Sequence, residues 1–248
     1  MYIELINCVN IPLKLKKQTL IQMKKLLPIL CLISFTAFTL TVIEEDHNEI
    51  TGQITMSNCP KLFVQGTGYN ADGTEVMHSD DPLAKADRNV IISLHPLDFK
   101  PKLPKTKDAY ISQSQQTFLP NVLPVVVGSK VHFLNEDEFF HNVQSYTPKS
   151  RFSIGRRAPG ISYSVKIKKV GEIQLSCDIH AHMNAKILSF DTPYFTRIAD
   201  DGAYHLKDLP DGDYRIEIFH PDCSKITDQI TLKGGKIFEF NYNLSVNP

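Results

Sequence analysis

Past residue 49 the apolar residues of this chain come in short runs, each bounded by glycine, proline, asparagine or aspartate. Short runs rich in Val, Ile, Phe and Tyr between turn formers predict β-strands, because branched and aromatic side chains suit a pleated, half-buried surface. The segments so marked are residues 50–56, 89–94, 123–127, 130–133, 163–167, 172–176, 185–190, 203–206, 214–219, 225–232 and 236–244. No long stretch in this part carries a helical period, so the expected class is all-β, as a sandwich or barrel. Two intervals break the pattern. Residues 66–88 are polar, with Asn70-Ala71-Asp72-Gly73 as a turn, and residues 96–107 hold three prolines and four lysines. Both read as exposed connections.

The N-terminal segment follows another logic. Lys24-Lys25 precedes an apolar run from Leu26 to Val42, and the chain turns acidic at Glu44-Glu45-Asp46. A positive region followed by a short apolar one resembles a secretory signal, with Met23 as a candidate start. A retained anchor is the competing reading, since about 17 residues is the lower limit for a span. Cys31 lies inside the apolar run without the small residue before it that a lipid anchor requires. The reading favours export to the periplasm, with residues 1–43 outside the fold and no membrane span once the signal is cleaved.

Length and charge add bounds. The 248 residues allow one large all-β domain or two small ones. Basic and acidic residues balance at 27 each, so nothing points to a nucleic-acid partner or an anionic membrane surface. The stretch Lys166, Lys168 and Lys169 reads as a solvated strand face.

The chemistry concentrates in Cys177-Asp178-Ile179-His180-Ala181-His182-Met183, with His141-Asn142-Val143 upstream. A thiolate, an imidazole and a thioether at C-x2-H-x2-M spacing, with a second imidazole elsewhere, make the ligand set of a mononuclear blue-copper site. Taken singly, Cys177 and Met183 read as core filler and His141 as a capping or surface residue. Cys59, Cys177 and Cys223 remain if the signal is removed, and an odd count leaves either one disulfide and one thiol or three thiols. The first option suits a copper thiolate at Cys177 and would pair Cys59 with Cys223. No nucleophile elbow, zinc-protease motif, phosphate loop or second histidine cluster appears, so no enzyme activity is expected. His47, His78, His95, His132, His205 and His220 show no ligand spacing and read as structural or exposed.

Around these residues run Phe118-Leu119-Pro120, a V-G-x-x-V-x-F-x-N-x-D segment ending at Asp137, then H-N-V and C-x2-H-x2-M. In that order they resemble the cupredoxins, the plastocyanin and amicyanin group. The resemblance implies a Greek-key β-sandwich over residues 109–191 holding one type 1 copper ion through His141, Cys177, His180 and Met183. It also implies that Asn142 and Asp178, each following a ligand, tie the two ligand segments together by hydrogen bonds. The loop departs from the family at Asp178, Ile179, Ala181 and His182. His182 is expected to face solvent if His180 points inward; the alternative is that it competes for the metal and gives a more tetragonal site.

Downstream, Asp201-Gly202-Ala203-Tyr204-His205-Leu206 and Leu209-Pro210-Asp211-Gly212-Asp213-Tyr214-Arg215-Ile216 resemble the prealbumin-like, carboxypeptidase-regulatory β-sandwich. The opening strands of that family are matched by Gly52-Gln53-Ile54-Thr55 and by residues 89–94. The expected plan is therefore a prealbumin-like sandwich built from residues 49–95 and 192–248, with a linker at 96–108 and the cupredoxin inserted. Some proteins with this combination are labelled methylamine-utilisation proteins. The function implied is single-electron transfer with a redox partner such as a cytochrome c or a dehydrogenase. Copper handling without electron transfer, or recognition through the prealbumin-like part, are the alternatives.

Overall fold

A computed structural model describes residues 47–57, 67–69, 75–77 and 89–245; the N-terminal segment read as a signal, Cys59 and His78 lie outside the described residues. Every regular element in them is a strand, and no α-helix occurs among them.

The strands before and after the middle of the chain pair with each other. β1 (Asn48–Ser57) runs antiparallel to β15 (Ala203–Leu209) and parallel to β18 (Ile237–Glu239) and β19 (Tyr242–Ser245). β4 (Ile91–Pro96) lies between β14 (Phe195–Arg197) and β16 (Gly212–Phe219), and β16 also pairs β17 (Ile226–Leu232). The two sheets share one core, in which Ile50 and Ile54 meet Ile92, Leu94, Tyr214, Ile216 and Ile218. The alternation of β16 explains its contribution: Tyr214, Ile216 and Ile218 are fully buried, while Asp213, Arg215 and Glu217 point away. Cys223, just beyond β16, is disulfide-bonded, and its expected partner Cys59 lies outside the described residues.

A single run, residues 236–244, was expected where β18 and β19 stand. The run breaks at Phe240-Asn241, where the chain crosses tightly over Gly52. Phe240 N–H donates to the Thr51 carbonyl, Tyr204 Oη donates to the Phe240 carbonyl, and Gln53 N–H donates to Asn241 Oδ1. A Cβ on Gly52 would overlap the Phe240 carbonyl and press on the Tyr204 ring. Gly52→Ala is therefore expected to destabilise the protein by about 2 kcal/mol, as overpacking does, read as a lower denaturation midpoint at unchanged slope.

Two strands in the interval 66–88 were not expected. β2 (Thr67–Tyr69) and β3 (Glu75–Met77) pair antiparallel. At three residues each they are too short to show an apolar period.

The middle of the chain forms a second sandwich. One sheet orders β11 (Ser162–Lys166), β8 (Lys130–Asn135), β5 (Ala109–Ser114) and β6 (Thr117–Leu119). The other orders β10 (Phe152–Ser153), β9 (Gln144–Ser145), β12 (Gly171–Ser176), β13 (Asn184–Phe190) and β7 (Val122–Val126). Ile111, Phe118, Val131, Phe133, Ile173, Leu175 and Ile187 make its core, together with Cys177 and Met183. β13 is buried on both faces. Ala185 and Ile187 point into this core, while Leu188 and Phe190 meet Ile91 of β4, Phe195 of β14 and Phe219 of β16. That second apolar contact joins the two sandwiches.

Candidate metal centre

The alternation of β12 aims the thiol. Ile173 and Leu175 face the core, Gln174 faces out, and continuing the same period one step past the strand end places Cys177 inside, 5% exposed. Ser176 and Asn184 still pair across β12 and β13, so residues 177–183 form a closed loop at the end of that ladder. It is drawn tight by Cys177 N–H donating to the Met183 carbonyl at 3.3 Å and Met183 N–H donating to the His180 carbonyl at 3.0 Å. Cys177 and Met183 are buried and His180 half-buried, whereas Asp178, Ile179, Ala181 and His182 are exposed.

His141 comes from the connection between β8 and β9 and is fully buried. It is clamped by a two-way backbone bridge to Arg157: His141 N–H to the Arg157 carbonyl at 3.1 Å and Arg157 N–H to the His141 carbonyl at 2.6 Å. Asn135 donates from Nδ2 to the carbonyls of Phe139 and Arg157 and so fixes both sides of this connection.

The three side chains converge. His141 Nδ1 lies 3.0 Å from His180 Nδ1, which is 4.0 Å from Cys177 Sγ, and all three ligand atoms fall within 4.8 Å of one another. Metal–nitrogen bonds of about 2.0 Å and metal–thiolate bonds of about 2.3 Å place donors at such separations around one ion, so the donor set fits a metal. Met183 packs in the same core as Cys177. His182 is exposed, with its ring centroid 6.1 Å from that of His180, and is not part of the converging group.

Asp137 was not anticipated as a site residue. Its Oδ2 lies 2.7 Å from His141 Nε2, which commits that nitrogen and leaves Nδ1 for the centre. Asp137 is itself held by the N–H groups of Gln115 and Gln116, at 2.5 and 2.8 Å. Those two residues turn the β5–β6 hairpin, both with positive φ, 53° and 55°. A two-residue turn of that sign matches the twist of the flanking strands but is uncommon without glycine or asparagine. The available signal was an aspartate four residues before a candidate ligand, inside the N-x-D segment.

Asn142 and Asp178, expected to tie the two ligand segments together, each bond a third segment. Asn142 exchanges hydrogen bonds with the Ser153 hydroxyl, at 3.1 and 3.2 Å, and Asp178, at the surface, pairs with Arg156 at 3.7 Å. Both ligand segments are thus tied to residues 153–156. Besides the His141–His180 contact, the Asn142 backbone N–H bonds the Cys177 sulfur and links the two segments directly.

The electrostatics favour a thiolate. Burial would raise the Cys177 pKa, but His141 and the N–H groups of Asn142, His180 and Ile179 bring it below the ordinary thiol value. Burial likewise opposes charge on His141, yet Asp137 and then Cys177 push its pKa up from 6.5 to about 9. His180 moves down, by burial first and by the neighbouring His141 and His182 next. The stability that His141 gains from these partners in the metal-free protein is therefore complete below pH 6.5 and is lost as pH rises through about 9. A metal at Nδ1 must displace the proton carried there at neutral pH. Loading metal-free protein in weak buffer at pH 7 is therefore expected to release protons, with the contribution of His141 vanishing above about pH 9; an indicator dye measures it.

Solved copper proteins resemble part of the chain. A Cu-containing nitrite reductase from Thermus scotoductus SA-01 is 24% identical at a TM-score of 0.33, over 39% of this chain and 25% of that one. The matched region thus spans a quarter of that enzyme's length. An amicyanin variant in its Cu(I) form is 18% identical at a TM-score of 0.32, over 33% of this chain and 81% of that one. A purple cupredoxin from Nitrosopumilus maritimus is 19% identical at a TM-score of 0.30, over 33% of this chain and 99% of that one. No protein-family model and no curated protein matches the chain.

Proposed function

We propose that this protein binds one copper ion through His141, Cys177 and His180, with Met183 as the weak axial ligand, and serves as a single-electron carrier rather than an enzyme. The observation that carries the reading is the convergence of two imidazole nitrogens and a buried, thiolate-favouring sulfur within 4.8 Å. Two imidazoles, one thiolate and a long thioether suit both common copper oxidation states, and the bound ion supplies a one-electron couple.

The chain's own residues do the rest. Asp137 keeps the His141 ring oriented, the backbone N–H groups of Asn142, Ile179 and His180 stabilise charge on sulfur, and the closed loop between β12 and β13 holds ligand positions through a change of charge. The half-buried His180 is the ligand nearest solvent, and exposed Phe139, Phe140 and Ile179 adjoin the ligands in sequence, which suits contact with a redox protein. Within this proposal the protein is exported to the periplasm, and the sandwich built from β1, β4 and β14–β19 is the prealbumin-like part.

A visible and electron paramagnetic resonance spectrum of the Cu(II)-loaded protein tests the centre. An intense thiolate-to-copper band with narrow hyperfine splitting is expected; a pale nitrogen–oxygen spectrum would exclude the thiolate. Stopped-flow exchange with a cytochrome c then separates carrier from handling protein, since slow exchange with ready metal donation would favour the latter.

A further inference from the structure

β10 and β11 are the outer strands of the two facing sheets of the middle sandwich. Between them runs an open groove of about 430 Å³. Its floor is apolar, formed by Phe152, Ile154, Val165 and Ile173, and its rim carries Lys149, Arg151, Lys166, Lys168 and Lys169. No carboxylate lines it among the described residues. In a chain with equal numbers of acids and bases this is a marked local excess of positive charge. Arg156, Lys186, Arg215 and Lys225 all have carboxylate partners, whereas among the described residues none of the five rim cations is ion-paired.

The backbone supports one of these positions in an unusual way. Lys149 sits in a turn closed by Ser150 N–H donating to the Thr147 carbonyl at 3.0 Å, with φ at 65°. Glycine adopts that conformation freely and lysine does not, so a cation is kept where a turn alone would favour another residue.

Lysines on outer strands often serve only to discourage pairing with other chains. That explains Lys166, which lies on β11. It does not explain Lys149 and Arg151, which face the groove from the other side, or Lys168 and Lys169, which follow the end of β11. We propose that this groove binds an extended acidic segment of a partner protein. Two strand edges unpaired among the described residues offer main-chain groups to an added strand, and an extended segment can alternate carboxylates toward the rim with apolar side chains toward the floor. A recessed apolar floor has no counterpart on a flat lipid surface or a polyphosphate. The proposal stands independently of the metal.

The test is fluorescence anisotropy of a dye-labelled peptide of alternating glutamate and valine, titrated with the full chain. Binding should weaken steeply with added salt. Lys149→Glu and the pair Lys166→Glu with Lys168→Glu should each weaken it about tenfold or more, the corresponding glutamine variants less, and Lys100→Glu with Lys102→Glu, which do not line the groove, should leave it unchanged. Circular dichroism of each variant separates lost binding from lost fold. Equal effects of groove and control reversals would overturn the proposal. So would tighter capture by phosphatidylglycerol vesicles or a heparin fragment than by the peptide. Self-association of the Lys166 variants with undiminished peptide binding would reduce the lysines to guards of an edge.

Discussion

A Cys177→Ser variant is expected to lose the visible absorption band and the reversible one-electron wave together, while keeping its fold. Serine replaces sulfur by a smaller atom on the same inward-facing position, continuing the β12 period of Ile173 and Leu175. The loop hydrogen bonds, from Cys177 N–H to the Met183 carbonyl and from Met183 N–H to the His180 carbonyl, are backbone and survive. What disappears is the anion. His141 and the N–H groups of Asn142, His180 and Ile179 lower the thiol's pKa from its ordinary value, whereas a hydroxyl starts far higher and offers the metal no thiolate. His141 and His180 would still bind Cu(II), giving a pale two-imidazole site with a different paramagnetic spectrum. A variant that kept the intense band would assign the colour elsewhere. The same spectrum of His182→Ala should match the parent, since that exposed ring stands apart from the converging atoms.

The sequence made some of this legible and hid the rest, for physical reasons. Branched runs such as residues 214–219 mark their strands because burial on one face demands an apolar residue at every second position. β5 went unmarked because its pattern is partly inverted: Ile111 is buried as usual, but Tyr110 is 63% exposed and Gln113 is fully buried, its side chain without a hydrogen-bond partner among the described residues. β9, β10 and β14 are two or three residues long, below the length at which a period can be read. The converging donors were legible because Cys177 and His180, with Met183, lie in one seven-residue loop whose spacing reflects how a tight turn points side chains inward. The support of that set was not, because it depends on contacts distant in sequence. Asn142 meets Ser153 and Asp178 meets Arg156, partners that spacing cannot name. Asp137 shows this most clearly. Its role depends on a hairpin turn more than twenty residues earlier.

Replacing Asp137 with alanine is expected to lower copper affinity by about ten- to a hundredfold, the usual range for the hydrogen-bonded partner of a ligating imidazole. Asp137 bonds His141 Nε2 at 2.7 Å and is itself anchored by the Gln115 and Gln116 N–H groups, so the carboxylate that orients the ring is held in place by the β5–β6 turn. Without the carboxylate, His141 loses the largest influence raising its pKa, and its proton affinity falls. The variant should therefore also release fewer protons on copper loading at pH 7, which a merely loosened fold would not produce. Asp137→Asn separates the two contributions. An amide oxygen can still accept from Nε2–H and hold the ring, so metal affinity should be largely restored, while proton release stays low because the charge is gone. A wild-type proton count in both variants would mean that Asp137 does not set the charge on His141. Unchanged affinity in the alanine variant would mean that the backbone bridge to Arg157 alone is enough to position the ligand.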